Sequence, residues 1–503
     1  MSYVYKRLFN NTIWVVISRI VNSVIGLVSI PLILTYFTNE QYGLIILATS
    51  LNIYLTILNL GMPTGIVKHA AAWLAQNEKS QLSRASRSSF LFYLIIGLLN
   101  GFVLIYLSFY GFEFFNIDSN LIPEYRTILL ITAGNAIIVW PFSIFDQLLQ
   151  GAEEIAWLQY TQIIKSLLRL TFILVSIYFK ISIVIFYLLI VSVPLIVLPL
   201  KVYKWRKYLS LRDTILPAWY WVTFKKIIAF SIGLFILGIA NTSLIQLRPI
   251  IIANRVNLFA VTDYKILFTI TNFIFILSTI SQSALLPVIS KAYSLGDEKT
   301  ISQISFKITK YSWAVIAPVI FGIAISSQQI LILYVGEQYA HLWPWLTIWA
   351  LAMFQTYLGT VSSVFIGKGK IKFLVYFIPI NALVSLVVLW ILAPKYGVGA
   401  VAISHFVYTF LQTILFHLFF LPKVLHLSSL SIIKESFIPP FLSALIMAVV
   451  TLVLFNYLIQ FENVLLQFVL KVIFAIFIYL LVVPILIIKP KEFVKLKEIV
   501  QTK

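Results

Sequence analysis

The chain contains no cysteine, which excludes a disulfide framework, a thiolate nucleophile and a cysteine-based metal site. Charge is scarce: 11% of residues are Asp, Glu, Lys or Arg, against about 25% in a soluble globular domain. Acids are scarcer still, 17 against 37 basic residues, for a formal charge of +20. The five histidines, His69, His341, His405, His417 and His426, are scattered without metal-ligand spacing, so neither a metal nor another cofactor is expected. What is present is apolar: 61% hydrophobic residues and a mean hydropathy of +0.99. That balance predicts an integral membrane protein.

A spanning helix needs about 20 mostly apolar residues. Fourteen segments qualify: 12–37, 42–61, 88–110, 127–149, 155–178, 182–203, 227–254, 266–288, 311–334, 343–366, 373–393, 397–421, 436–459 and 464–488. Their continuous apolarity predicts an all-α integral membrane fold, since barrel strands would alternate with a period of two. Lys6 and Arg7 precede the first run. No small-residue cleavage site follows, so 12–37 reads as a retained span and not a signal peptide. With the N-terminus inside, alternate loops hold twenty-seven basic residues on the inner side and five on the outer. This bias predicts an even number of spans with both termini cytoplasmic. It also accounts for the basic excess as a topology signal, and no nucleic-acid partner is expected.

The chain resembles itself at long range. AAWLAQNEKS at 71–80 aligns with KAYSLGDEKT at 291–300, and near the same shift Pro31 matches Pro249 and Gly151 matches Gly367. The matched segments fall on the same side of the membrane, which predicts two parallel repeats about an axis along the membrane normal. The expected organisation is a six-helix bundle over 1–203, a basic linker over 204–226, a second six-helix bundle over 227–421, and two further helices with a tail over 422–503. The linker mixes Trp205, Trp219, Tyr220 and Trp221 with basic residues. That composition suits an ordinary positive-inside connection with an aromatic belt, or a segment lying on anionic membrane lipids.

Four cations sit inside apolar runs, Arg19, Lys165, Arg169 and Arg248, with no carboxylate expected at equal depth beside them. Each costs about 2.5–3.5 kcal/mol at a helix centre on insertion scales, so it should face a cavity or a partner. An anionic ligand would supply that partner. Lys165 and Arg169 are four apart and share one helical face, extended a turn inward by Gln162. A diphosphate suits such a face, since Arg binds it bidentately and Lys acts as a point charge. Backbone carbonyls or Asp146 are the competing partners, although Asp146 should lie about eight residues shallower than Lys165. Arg19, with Asn22 on its face, could meet the same ligand, snorkel, or pair with Asp146. Arg248 precedes Pro249, which should kink or break its span; it could contact an anion or snorkel outward. Lys471 should snorkel as well. Asn241 is among the amides that could line a sugar-sized cavity, although most such groups join helices.

Enzymatic readings fare poorly. Glu153-Glu154 reads as a solvated turn. GKGK at 367–370 lacks P-loop spacing, and the longest outer loop, 111–126, is short for a glycan polymerase. Energy would come from a coupling ion, H+ or Na+, from the membrane potential, or from removal of product.

Ordered along the chain, Ser18-Arg19, Pro31-Leu32, Tyr42-Gly43, Leu60-Gly61, Leu286-Pro287, Ser290, Leu295-Gly296-Asp297, 367–370 and Tyr396-Gly397-Val398-Gly399-Ala400 resemble the polysaccharide-exporter branch of the multidrug/oligosaccharidyl-lipid/polysaccharide (MOP) superfamily. Wzx-type O-antigen flippases are its best-known members. The resemblance implies fourteen spans in two six-helix bundles plus two helices. It further implies a flippase in the bacterial cytoplasmic membrane that moves an undecaprenyl-diphosphate-linked oligosaccharide from the inner to the outer leaflet. A lipid II flippase or a drug exporter on the same fold is the alternative.

The absence of native cysteine makes the topology directly testable. A single cysteine replacing Arg126 should react with a membrane-impermeant thiol reagent in intact cells, and one replacing Lys79 only after lysis; equal labelling would overturn the orientation.

Overall fold

An apolar run inside a bilayer has no water to satisfy its amides, so each run closes its own hydrogen bonds as a helix. In the computed structural model, which describes residues 3–283, 298–359, 372–424, 428–458 and 461–487, all regular structure among the described residues is helical. Twelve helices among them are long and apolar enough to cross a membrane, and the protein is a multi-pass membrane protein. Of the fourteen expected spans, twelve correspond to these helices. The other two are 227–254, which forms a continuous helix, and 343–366, part of which lies outside the described residues, as do the motifs over 286–297 and 367–370.

The chain forms two compact units, Met1–Lys265 and Ile266–Lys503. The first holds α1 (Tyr3–Leu34), α2 (Asn39–Leu55), α3 (Met62–Ala75), α4 (Lys79–Tyr110), α5 (Ile122–Phe142), α6 (Ile144–Gly151), α7 (Ile155–Tyr178), α8 (Ile183–Trp205), α9 (Leu211–Ile215) and α10 (Trp221–Arg255), with the start of α11 (Leu258–Ser283). The linker expected to separate two bundles folds onto this unit. Trp205, fully buried, donates from Nε1 to Thr214 Oγ1 at 2.8 Å, and Ser83 Oγ donates to the Asp213 carbonyl at 2.9 Å.

The inner loop expected after residue 61 is helical. Leu60 and Gly61 both take positive φ, 50° and 73°, and break the helix; Pro63 then starts α3 in its first turn, where a missing N–H costs nothing. A core of Met62, Ile66, Leu82, Phe145, Leu148 and Ile227 gathers α3, α4, α6 and α10. Gly65 permits a close approach of α3 to α10: a Cβ there would stand 2.6 Å from the Ile227 carbonyl oxygen.

Of the expected kink or break at Pro249, the break is absent: α10 continues through the proline, which removes one amide donor and crowds one carbonyl.

The second unit holds the rest of α11 and then α12 (Glu298–Ile325), α13 (Ser327–Val335), α14 (Trp343–Ala352), α15 (Lys372–Tyr396), α16 (Gly399–Leu415), α17 (Ser429–Ile432), α18 (Ile438–Val453) and α19 (Val464–Leu486). Polar side chains join neighbours, as where Asn381 Nδ2 on α15 donates to the Tyr408 carbonyl of α16 at 2.8 Å. Lys471, expected to snorkel, does not. It is 4% exposed and donates to the Ile325 carbonyl at 2.6 Å and to Gln329 Oε1 at 3.2 Å. A cation at the end of α12 is favourable because the last carbonyls of a helix carry partial negative charge.

The Gly65 contact predicts the outcome of one substitution. Gly65→Val forces α3 off α10 and should cost about 1–3 kcal/mol, typical of overpacking. Thermal unfolding of the detergent-purified protein reads this as a lowered midpoint, and an unchanged midpoint would show that the approach is not constrained.

Candidate cationic site in the first unit

α7 enters with its N-terminus held by α1. Asn11 Oδ1 accepts from the Ala156 amide at 3.0 Å, its Nδ2 donates to the Glu153 carbonyl at 3.5 Å, and Trp14 meets Tyr160 edge-on at 6.2 Å between centroids. Two turns along, Asn22 Nδ2 donates to Ser18 Oγ at 3.2 Å while Asn22 Oδ1 accepts from Ser166 Oγ. Asn11, Trp14, Ser18 and Asn22 thus form one helical stripe against α7. Asn22 joins two helices here, the role most intramembrane amides have.

With that face of α7 occupied by α1, Lys165 presents its ammonium to α8 and α6. It lies within interaction range of Lys201, Asp146 and Arg169, making a side-chain contact with Lys201. Lys201 is 4% exposed, and its Nζ lies 2.5 Å from Asp146 Oδ1. The expectation that no carboxylate reaches this depth is corrected, for two reasons. The fourth span is not one rod but breaks at Ser143 into α5 and α6, which places Asp146 in the first turn of α6, where the helix dipole favours an anion. Side chains on a helix also lean toward its N-terminus, so Lys165 and Arg169 reach back toward α8 and α6. A different carboxylate, Asp263 on α11, is buried, 4% exposed, with Oδ1 unbonded.

Lys201, at the inner end of the expected span 182–203, occupies a buried stripe of α8 with Val193, Val197 and Trp205, and that spacing of four is the signal in the sequence that marks it. One turn further, Lys204 is neutralised by Glu154 at 3.0 Å; Tyr208 donates to the same carboxylate at 2.7 Å, and Lys204 lies 5.3 Å from the centre of the Trp157 ring. The contrast is electrostatic. The Lys204 layer is balanced one to one, whereas Lys165 has two cations, Lys201 and Arg169, and one carboxylate, Asp146, in range, and that carboxylate is paired with Lys201. Three cations against one carboxylate leave a surplus of two, and the Asp146 side chain is 41% exposed at the open side of the pair.

The other expected residues lie elsewhere. Gln162 is exposed one turn below Lys165. Arg19 is exposed on α1 without an ion pair among the described residues; its carbonyl accepts from Ser23 Oγ at 2.7 Å. Arg248 is buried, 4% exposed, within electrostatic reach of Tyr264 on α11, so it does not snorkel outward. Asn241 is exposed two turns before it on α10. Arg19 and Asn241 make no hydrogen bond or ion pair with the Lys165 group among the described residues. What the group can do chemically is hold a compact multivalent anion: Arg169 offers a planar fork and two ammoniums offer adjustable point charges.

Comparison with known proteins places this geometry. In overall structure the chain is similar to the lipid II flippase MurJ in an inward closed conformation, with a TM-score of 0.70, 14% identity, and coverage of 93% of this chain and 97% of that one. It is also similar to a multidrug resistance MATE family transporter of the MOP superfamily in inward-facing form, with a TM-score of 0.68, 12% identity, and coverage of 78% and 92%. The outward-facing form of such a transporter gives a TM-score of 0.58 at 15% identity, covering 82% and 93%. These neighbours are transporters and a flippase rather than enzymes, and the shared fold is that of MOP superfamily transporters. No curated protein matches the chain by sequence. The family model described as "Polysaccharide biosynthesis protein" matches residues 8–293, and the chain belongs to that family.

Proposed function

We propose that the protein is a flippase that carries an undecaprenyl-diphosphate-linked oligosaccharide, the repeat unit of O-antigen or another surface polysaccharide, from the inner to the outer leaflet of the bacterial cytoplasmic membrane by alternating access. The observation that carries the reading is the surplus of positive charge at Lys165, Lys201 and Arg169 against Asp146 within membrane-spanning helices. Uncompensated charge there is costly, and a diphosphate headgroup brings the matching negative charge. The family description supports a glycan substrate, and the name of the MurJ match supports a lipid-linked one.

In this reading Arg169 grips the diphosphate bidentately, while Lys165 and Lys201 follow it as point charges. Asp146 acts as the resident counter-ion that the ligand displaces from Lys201. Arg19 receives the headgroup before it reaches Lys165, and Arg248 meets it later. Gln162 and Asn241 offer exposed amides to the sugars, and Asn22 holds α1 in place. A second reading, transport of a lipid II-type substrate, is favoured by the MurJ match; it uses the same diphosphate chemistry. Reconstituted vesicles loaded with each lipid-linked glycan separate the two. A drug exporter on the same fold is the weaker reading, because surplus positive charge among spanning helices calls for an anionic cargo.

Arg169→Ala and Lys165→Ala should each abolish surface glycan at unchanged protein abundance, with transport in vesicles falling about 10- to 150-fold, the worth of one hydrogen bond to a charged group. Normal glycan in both variants removes the site assignment. Asp146→Asn tests the counter-ion separately: it should bind farnesyl diphosphate roughly tenfold more tightly by calorimetry and turn over more slowly, and weaker binding would show that Asp146 organises the cations rather than competing for them.

A further inference from the structure

The linker end of the first unit carries a second concentration of positive charge that the transport reading does not use. Residues 206–220 fold down on the end of α4 and are fixed there. Arg87 Nε donates to the Leu216 carbonyl at 2.8 Å, the Tyr220 amide donates to Ser88 Oγ at 2.8 Å, and Ser210 caps α9 by accepting from the Asp213 amide at 3.1 Å. Fixing the linker sets Tyr220 beside α4, where the Arg84 and Arg87 guanidiniums lie 5.7 and 5.8 Å from the centre of its ring. Arg84 and Arg87 are three apart on one helical face.

These guanidiniums are far from saturated. Arg87 spends Nε on Leu216 and Nη1 on the Tyr220 hydroxyl at 3.3 Å, leaving three N–H groups. Arg84 makes no hydrogen bond or ion pair among the described residues. Asp213, the acid of the linker, is occupied by Ser210, whose hydroxyl donates to its Oδ2 at 2.7 Å. Lys225 and Lys226 follow, both exposed.

Beside the cations an apolar edge projects outward: Trp219 is 44%, Trp221 59% and Val222 71% exposed. The two indoles stack at 6.4 Å, and Trp219 leans on Phe224 at 4.5 Å. A dissolved anion would explain the guanidiniums and leave this edge in water. A lipid explains both, because tryptophan settles at the boundary between headgroups and acyl chains while arginine takes the phosphate.

We propose that Arg84, Arg87 and Tyr220, flanked by Lys225, Lys226 and the Trp219–Val222 edge, form a binding site for the phosphodiester headgroup of an anionic glycerophospholipid. The site is independent of the cation group around Lys165. It locks the linker, and through it the start of α10, to the membrane surface.

Native mass spectrometry of the full-length protein, released from mixed phosphatidylglycerol and phosphatidylcholine vesicles, tests this. The wild type should retain phosphatidylglycerol selectively. The Arg84→Gln/Arg87→Gln variant should lose that retention about 30-fold, equivalent to about 1 kcal/mol per arginine at an anionic surface. Arg169→Ala should leave it unchanged. Trp219→Ala/Trp221→Ala should weaken retention of both lipids. Equal retention of the two lipids by the wild type, or undiminished phosphatidylglycerol in the arginine variant, overturns the site. Displacement of the lipid by millimolar inorganic phosphate would assign the guanidiniums to a soluble anion and overturn it equally. Should the arginine variant not purify, the wild type alone decides: its unfolding midpoint should be higher in phosphatidylglycerol nanodiscs than in phosphatidylcholine, and equal midpoints refute the proposal.

Discussion

A charge removed from water must find an opposite charge, a dipole or a route back to water, and the first unit follows from how few acids this chain has to offer. Glu154 and Asp146 are each spent on a lysine of α8, at 3.0 and 2.5 Å. The first closes its layer. The second leaves Lys165 and Arg169 without an acid of their own among the described residues. Around that shortage the helices are arranged with care: α6 is cut short so that its first turn delivers Asp146, α8 gives up a position on its buried stripe to Lys201, and α1 is fastened to α7 through asparagine and serine rather than through charge.

Fastening by neutral polar groups has a physical logic. An amide or hydroxyl that bonds across two helices satisfies itself without altering the local field. The Asn11, Ser18, Asn22 and Ser166 contacts can therefore tie α1 to α7 beside a cationic group without neutralising it. The same device recurs between α15 and α16, where Asn381 bonds the Tyr408 carbonyl.

Much of this was legible in the sequence, and the parts that were not share a cause. Lys165 and Arg169 stand out because a spacing of four within an apolar run has one geometric meaning. The helical fold and its membrane character follow from run length alone. Asp146 was legible as a competing partner, but its pairing with Lys201 escaped because depth was counted along straight rods, and neither the break at Ser143 nor the tilt of side chains toward a helix N-terminus enters such a count. The same simplification hid α3, whose start depends on the positive φ angles of Leu60 and Gly61. Lys471 was expected at the lipid boundary and is buried instead, and Arg248, for which snorkelling was one of two readings, is buried as well. Which residues a lysine or arginine meets is decided by partners far away in the chain, and hydropathy carries no record of them.

The ammonium of Lys471 shows where this matters beyond the site. α12 stops at Ile325 and α13 restarts at Ser327, leaving the Ile325 carbonyl to a donor that acyl chains could never supply. That donor arrives from α19, 146 positions later. The final helix therefore belongs to the fabric of the second unit, and a ribosome that has not yet delivered it leaves the α12–α13 joint incomplete. Any shortened form of the chain lacking α19 would carry an open seam in the bilayer, visible to quality control well before transport came into question.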